Sequence, residues 1–200
     1  MTEGRPAHAP SSGDGRRRAE LLADIVAIAV PYRGPLRDVS EFRESAALNR
    51  PSILRRVAAD LAAQVPREAS RLVAAGWGAA VLATALSLHT GLPLNITTRP
   101  ASAGPEPDGE GEADGNSPPQ GDEFLAPGQS VALVVTSTAS DTQIQAWVTA
   151  LAEKGVHVVS VLALLAPFGR GRTVSGGTDA PRTALLTEEE LAVSTAGDRP

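Results

Sequence analysis

Thr136, Ser137, Thr138, Ser140 and Thr142 place five hydroxyls within seven residues. An uninterrupted apolar run, residues 131–135, precedes them, and a helical segment, residues 143–154, follows and stops at Gly155. A turn between a buried strand and a helix exposes the unpaired N–H groups of the helix start. With hydroxyls around them, those donors suit an anion such as phosphate. Asp141 sits inside the turn and opposes this: at about 4 Å a carboxylate repels a phosphate by ~1–4 kcal/mol under surface-like screening. Its carboxylate can also take the same donors as an internal substitute. Ser140 and Gln143 have the spacing of a capping box, which satisfies a helix start without any ligand. A second small turn, Gly76-Trp77-Gly78, joins the apolar run Arg71–Ala75 to another helical segment. Short glycine motifs of this kind are weak evidence alone, and Trp77 can either pack on a neighbour or stack on a ligand at a pocket mouth.

Other chemistries are excluded by composition. There is no cysteine, which removes disulfides, thiolate nucleophiles and thiolate metal sites together. His8, His89 and His157 are scattered, so no histidine metal cage is expected. Aromatic content of 3% and a net charge of −5 argue against stacking platforms and against a nucleic-acid partner. The start has no apolar core of a signal peptide, and residues 25–30 are too short to cross a bilayer, so no membrane partner and a cytoplasmic location are expected.

The elements that must position these turns read as one α/β domain over residues 16–200, following a disordered tail at 1–15. Residues 17–30 and 52–65 read as helices, the second with Ile53, Leu54, Val57, Leu61 and Val65 on one face. A strand at 71–75, a helix to about His89 and a strand at 94–98 form a first unit, punctuated by Gly91 and Pro93. Strands at 130–135 and 156–165 around the helix at 143–154 form a second. Continuous apolar strands alternating with helices imply a mostly parallel sheet covered on both faces, with both polar turns on its carboxyl edge. His157, at an alternate position of such a strand, reads as a core residue, and His89 as a cation in the last turn of a helix. Arg16, Arg17 and Arg18 read as a solvated run beginning a helix. The end of the chain reads as a strand from Thr183 into a helix capped by Thr187, with Glu188, Glu189 and Glu190 in its first turn. Between the two units, residues 100–123 hold seven acids and no Lys or Arg among many Gly and Pro, so a flexible acidic loop is expected. Outside it, 18 basic residues face 16 acidic ones.

Four stretches resemble the type I phosphoribosyltransferases, and among them the orotate phosphoribosyltransferases. Leu72 through Ala80 resembles the strand and turn that hold pyrophosphate, and His89-Thr90-Gly91-Leu92-Pro93-Leu94 through Arg99 resembles the run that follows. Leu125 through Val135 is similar to the approach to the family's signature strand. Leu185-Leu186-Thr187-Glu188-Glu189-Glu190-Leu191 is similar to the terminal element of the orotate enzymes. The resemblance implies the α/β phosphoribosyltransferase fold, a pyrophosphate side at Gly76, Trp77, Gly78 and Arg99, and a ribose side at Thr136 and Ser137. It also implies a phosphate loop at Thr138, Ser140, Asp141, Thr142 and Gln143. A homodimer follows by the same analogy.

The motif is degenerate. Where the family has two adjacent acids for the ribose hydroxyls, this chain has Thr136 and Ser137. The phosphate turn has no glycine, and the loop that is basic in orotate enzymes is the acidic stretch. An anionic loop cannot neutralise an anionic leaving group, so no residue is singled out as catalytic. No cofactor is required, and magnesium enters only for an active transferase. Three readings follow. The leading one is a catalytically impaired phosphoribosyltransferase-like protein that binds a nucleotide or phosphorylated sugar in a regulatory or accessory role. The second is an active transferase of pyrimidine metabolism that recovers its missing charges from Arg99, Arg170, Arg172 or a second subunit. The third is a structural or interaction protein that keeps the fold without a ligand.

Overall fold

The computed structural model describes residues 12–30, 42–97, 125–166, 173–175 and 180–196. Helix α1 (Ser12–Ala29) is followed by α2 (Glu44–Leu48), α3 (Pro51–Ala62), β1 (Arg71–Ala75), α4 (Trp77–Thr90) and β2 (Leu94–Thr97). Then come β3 (Ser130–Val134), α5 (Asp141–Glu153), β4 (His157–Ala166), β5 (Thr173–Ser175), β6 (Pro181–Thr187) and α6 (Glu188–Ala196). The sheet runs β2-β1-β3-β4-β6-β5, with β5 antiparallel to β6 and every other pairing parallel. The expected mostly parallel sheet is therefore present, with an antiparallel edge strand that carries too little apolar pattern to be read in advance.

Period-2 alternation divides the strand residues between two layers. Leu72, Ala74, Ala132, Val134, Leu162 and Leu164 face a layer built by Leu21 and Ile25 of α1, Ile53, Val57 and Leu61 of α3, and Leu82 and Leu86 of α4. Val73, Val131, Leu133, Val161, Ala163 and Ala184 face Ile144, Trp147 and Leu151 of α5. Both faces are covered, which is why these strands read as continuous apolar runs.

Several boundaries differ from the sequence reading. Helix α1 begins at Ser12, inside the stretch expected to be a tail, and α5 begins at Asp141 instead of Gln143. The short α2 has no counterpart in that reading. Arg18 is not a solvated end of its run: its Nη2 donates to Leu185 O at 2.7 Å and to Glu190 Oε1 at 3.0 Å, tying α1 to the β6–α6 junction. His157 is exposed, not in the core, because it opens β4 at the sheet's amino edge, where it pairs with Ser130. Thr187 caps α6 as expected, accepting from Glu190 N at 3.2 Å while its own N–H donates to Glu190 Oε2 at 2.9 Å. Arg99, Arg170, Arg172 and the acidic stretch 100–123 lie outside the described residues. Among the described residues, no helix is long and apolar enough to cross a membrane.

Candidate functional site

Strand β1 pairs with β2 on one side and β3 on the other, so the chain's winding reverses between β1 and β3. A crevice opens at the carboxyl ends of strands at such a point, and ligands of open α/β sheets bind there. The two turns singled out in the sequence meet at it. A Cβ built on Gly78 would stand 2.9 Å from Thr136 Cγ2, which puts the β1–α4 and β3–α5 turns in contact.

The first turn depends on glycine twice. Gly76 has φ 78° and ψ 176°, a region that residues with a Cβ rarely enter. Gly78 leaves no room for a side chain against Thr136. Gly76 N–H donates to Thr97 O at 2.9 Å, which docks the turn on β2. Gly76, at the N-cap of α4, has no side chain to cap the helix, and among the described residues no side chain accepts from its first amides. Trp77 projects outward and is 68% exposed.

The second turn is satisfied from within at Ser137, Ala139, Ser140 and Gln143. Thr136 O accepts from Ala139 N at 3.1 Å, closing a tight turn over Ser137 and Thr138. Ser140 caps α5 as the sequence reading expected. Its Oγ accepts from Gln143 N at 3.2 Å, and its own N–H donates to Gln143 Oε1 at 2.8 Å. Thr136 and Thr138 bring their hydroxyls to 3.4 Å of each other. The amides of Thr138 and Thr142 are left without a partner among the described residues.

Two of the residues singled out in the sequence have partners elsewhere in the fold. Ser137, assigned to the ribose side, is only 1% exposed; its Oγ accepts from Leu165 N at 3.1 Å and so stitches β3 to β4. Asp141 pairs with Arg182 of β6, its Oδ1 accepting from Nη1 at 3.1 Å. Ser137 N–H has its acceptor in Glu44, at the first position of α2. Its Oε2 accepts from Ser137 N–H at 2.8 Å. Burial pushes the Glu44 carboxyl up from its ordinary value, against the Ser137 hydrogen bonds, which pull it down. Nothing near Glu44 in the sequence announces this contact across 93 positions.

A divalent cation finds little here. The turn offers Thr136 and Ser137 where a carboxylate pair would be needed, and Ser137 is turned inward. These residues do not fit a resident magnesium ion, and among the described residues no group of three or more His, Asp or Glu could hold a metal. A groove of about 300 Å³ lined by Ala62, Arg67, His89 and Leu92 lies at the opposite, amino edge of the sheet and is unrelated to the two turns.

No protein-family model and no curated protein matches the sequence. Solved structures do match the fold. UMP synthase of Leishmania donovani aligns with a TM-score of 0.64 at 19% identity over 90% of this chain, which spans 38% of that longer protein. A phosphoribosyltransferase from Corynebacterium diphtheriae aligns at 0.55 and 17% identity, covering 88% of this chain and 98% of its own. The orotate phosphoribosyltransferase of Mycobacterium tuberculosis H37Rv, in complex with 5-phospho-α-D-ribosyl 1-diphosphate, aligns at 0.53 and 18% identity, covering 87% and 98%. The fold that these neighbours have in common, and that this chain has with them, is that of the type I phosphoribosyltransferases.

Proposed function

We propose that this protein binds a nucleotide or phosphorylated sugar at the β1/β3 crevice in a regulatory or accessory role, and does not turn over phosphoribosyl pyrophosphate. The observation that carries the reading is the pairing of an open turn with a closed one. Beyond Gly76, whose N–H is taken by Thr97 O, the α4 start keeps its amides for an anion among the described residues, whereas Ser137, Ser140 and Gln143 have spent theirs internally and leave only Thr138 and Thr142 open. The bound phosphate is therefore assigned to the Gly76 turn, with Thr136 and Thr138 offering hydroxyls at its side. Without a carboxylate pair at 136 and 137, a ribose loses charge-assisted hydrogen bonds, which are roughly twice as strong as neutral ones. Among the described residues, transfer also lacks a carboxylate cluster to hold the metal.

Calorimetric titration of phosphoribosyl pyrophosphate, with and without magnesium, tests the binding, and an assay of orotate-dependent pyrophosphate release tests the chemistry. Weak binding that magnesium does not improve, with no turnover, is the expected result. Turnover at the usual enzymatic rate of ~1 s⁻¹ or more would return the protein to the active transferases. A ligand-free structural role has one observation in its favour, the internal closure of the second turn by Glu44 and Ser140. Complete absence of binding would select that reading.

A further inference from the structure

Away from the crevice, at the amino edge of the sheet, the ends of α3 and α4 border a shallow groove of about 300 Å³. Its floor is apolar, made by Ala62, Val65, Pro66, Ala69 and Leu92. Arg67 and His89 also line it, and both are exposed. Arg67 stands in the tight turn that Ala69 N–H closes on Pro66 O at 3.1 Å, and His89 stands in the last turn of α4. Among the described residues neither side chain has a hydrogen-bond or ion-pair partner.

Helix C-termini by themselves favour a cation, through their unpaired carbonyls. Here those of Asp60, Leu61, Ala62, Leu86 and Ser87 are taken. Leu61 O and Ala62 O accept from Gln64 N at 2.9 Å and Val65 N at 3.3 Å, and Asp60 O accepts from Gln64 Nε2 at 3.3 Å. At the end of α4, Leu86 O accepts from Thr90 Oγ1 and Ser87 O accepts from Gly91 N, both at 2.8 Å. Thr90 Oγ1 also accepts from Leu92 N at 3.3 Å. Arg67 and His89 are therefore the lining side chains with hydrogen-bonding capacity to spare.

We propose that this groove is a second binding site, for a small amphipathic carboxylate whose alkyl or aryl body lies on the apolar floor and whose head group takes the donors of Arg67 and His89. Charge selects the head group. A guanidinium offers a planar fork of N–H donors that matches a carboxylate at two points. Among the described residues no Asp or Glu lines the groove to compete for it. Size selects a small molecule over a protein. About 300 Å³ lies at the lower end of the ~300–1,000 Å³ of small-ligand sites, whereas a standard protein interface takes ~800 Å² from each partner. The groove is also remote from the crevice. Helix α4 starts at the Gly76 turn and ends beside His89, and its 14 residues span about 21 Å. Occupation of the groove is thus independent of the ligand assigned to the Gly76 turn.

Octanoate titrated into the full chain, followed by calorimetry and by backbone amide chemical shifts, tests the site. Saturable binding is expected with a dissociation constant on the order of 1 mM, as suits so small a ligand on an open surface. The shifts should gather at residues 64–70 and 88–92. Octylamine, with the same body and the opposite charge, should not bind. Butyrate should bind severalfold more weakly, because each buried methylene strengthens binding by a factor of about three to four. Arg67→Gln should weaken octanoate about fivefold and His89→Gln about twofold, both with an unchanged circular dichroism spectrum because both side chains are exposed. An affinity indifferent to the Arg67→Gln/His89→Gln double variant, or equal for octylamine, overturns the role of the two donors. Equal affinities for butyrate and octanoate overturn the role of the floor. Shifts gathered at residues 76–78 instead, or no saturable binding, overturn the site itself, as they would if another part of the chain or a partner protein covered the groove.

Discussion

The β1–α4 and β3–α5 turns occupy equivalent places, each carrying the chain from the carboxyl end of a parallel strand into a helix. They satisfy the same backbone groups by opposite means. At Gly76–Gly78 two glycines make the turn and, among the described residues, no side chain caps the helix, so the first amides of α4 face the crevice. At residues 136–143 five hydroxyls look inviting, yet Ser140 and Gln143 cap α5, Glu44 holds Ser137 N–H, and Ser137 Oγ binds Leu165 N. The hydroxyl-rich turn is the closed one and the bare turn is the open one. Polar side chains at a helix start measure how well the start is already satisfied before they measure what it can bind.

The sharpest way to break this comparison is to wedge the two turns apart. Gly78→Val places methyl groups where even a Cβ would be 2.9 Å from Thr136 Cγ2. Overpacking of this kind costs about 1–3 kcal/mol, and Thr136 is β-branched and turns away poorly. Urea unfolding should show that loss, and phosphate affinity should fall with it because the crevice deforms. Thr136→Ser removes the offending methyl, so the double variant should recover much of the stability. Independent, additive losses would mean that the turns are not in contact.

Next in size is the cap on the closed turn. Ser140→Ala removes the acceptor for Gln143 N–H and should cost ~1 kcal/mol, within the 0.5–2 kcal/mol range of such caps. Phosphate affinity should stay as it was, because the ligand is assigned to the other turn. A marked gain in affinity would move the anion site to residues 138–143.

Glu44 gives a pH dependence. Its carboxyl titrates above the ordinary value of 4.5 in the folded chain because burial outweighs the Ser137 hydrogen bonds. A raised folded value means that the unfolded chain releases the proton first as pH climbs. Stability from this group is thus full below the unfolded value and is lost as pH rises through the folded one. Glu44→Gln should remove that descending step from a plot of unfolding free energy against pH, while its side-chain oxygen can still accept from Ser137 N–H. An identical pH profile in the variant would mean that Glu44 is solvated.

Legibility followed the range of the interactions. Local signals came through: the apolar runs that became β1, β3 and β4, the Ser140–Gln143 box, the Thr187 cap and the Gly91 stop of α4. The contacts that decide which turn is open did not. Glu44 reaches Ser137 across 93 positions from a helix of five residues, too short to show a periodicity. Arg18 reads as one of three solvated arginines because its partners, Leu185 and Glu190, lie near the other end of the chain. His157 reads as buried because its strand is apolar, yet a strand's first residue lacks the neighbours that bury its later ones. Trp77, Val81 and Leu88, exposed on α4, are present as residue types, but a helix apolar all round does not say which side the core will take.

The smallest expected effect belongs to Asp141, and it is the most discriminating. In the sequence its carboxylate stands as an internal competitor for phosphate, so that replacing it would strengthen binding. In the structure it faces Arg182, with Asp141 56% exposed and Arg182 only 7%. Asp141→Asn keeps an oxygen to accept from Arg182 Nη1 and removes only the charge. Both residues have further partners. An ion pair with one exposed member contributes at most about 1 kcal/mol, so the loss in stability should stay below that. Because the anion is assigned to the Gly76 turn, with solvent screening between it and Asp141, phosphate affinity should change by no more than about twofold at physiological salt. Parallel calorimetry on wild type, Asp141→Asn and Gly78→Val would then separate the two turns by function. A gain of tenfold in Asp141→Asn with little effect in Gly78→Val would reverse their roles, and would place the phosphate on α5 after all.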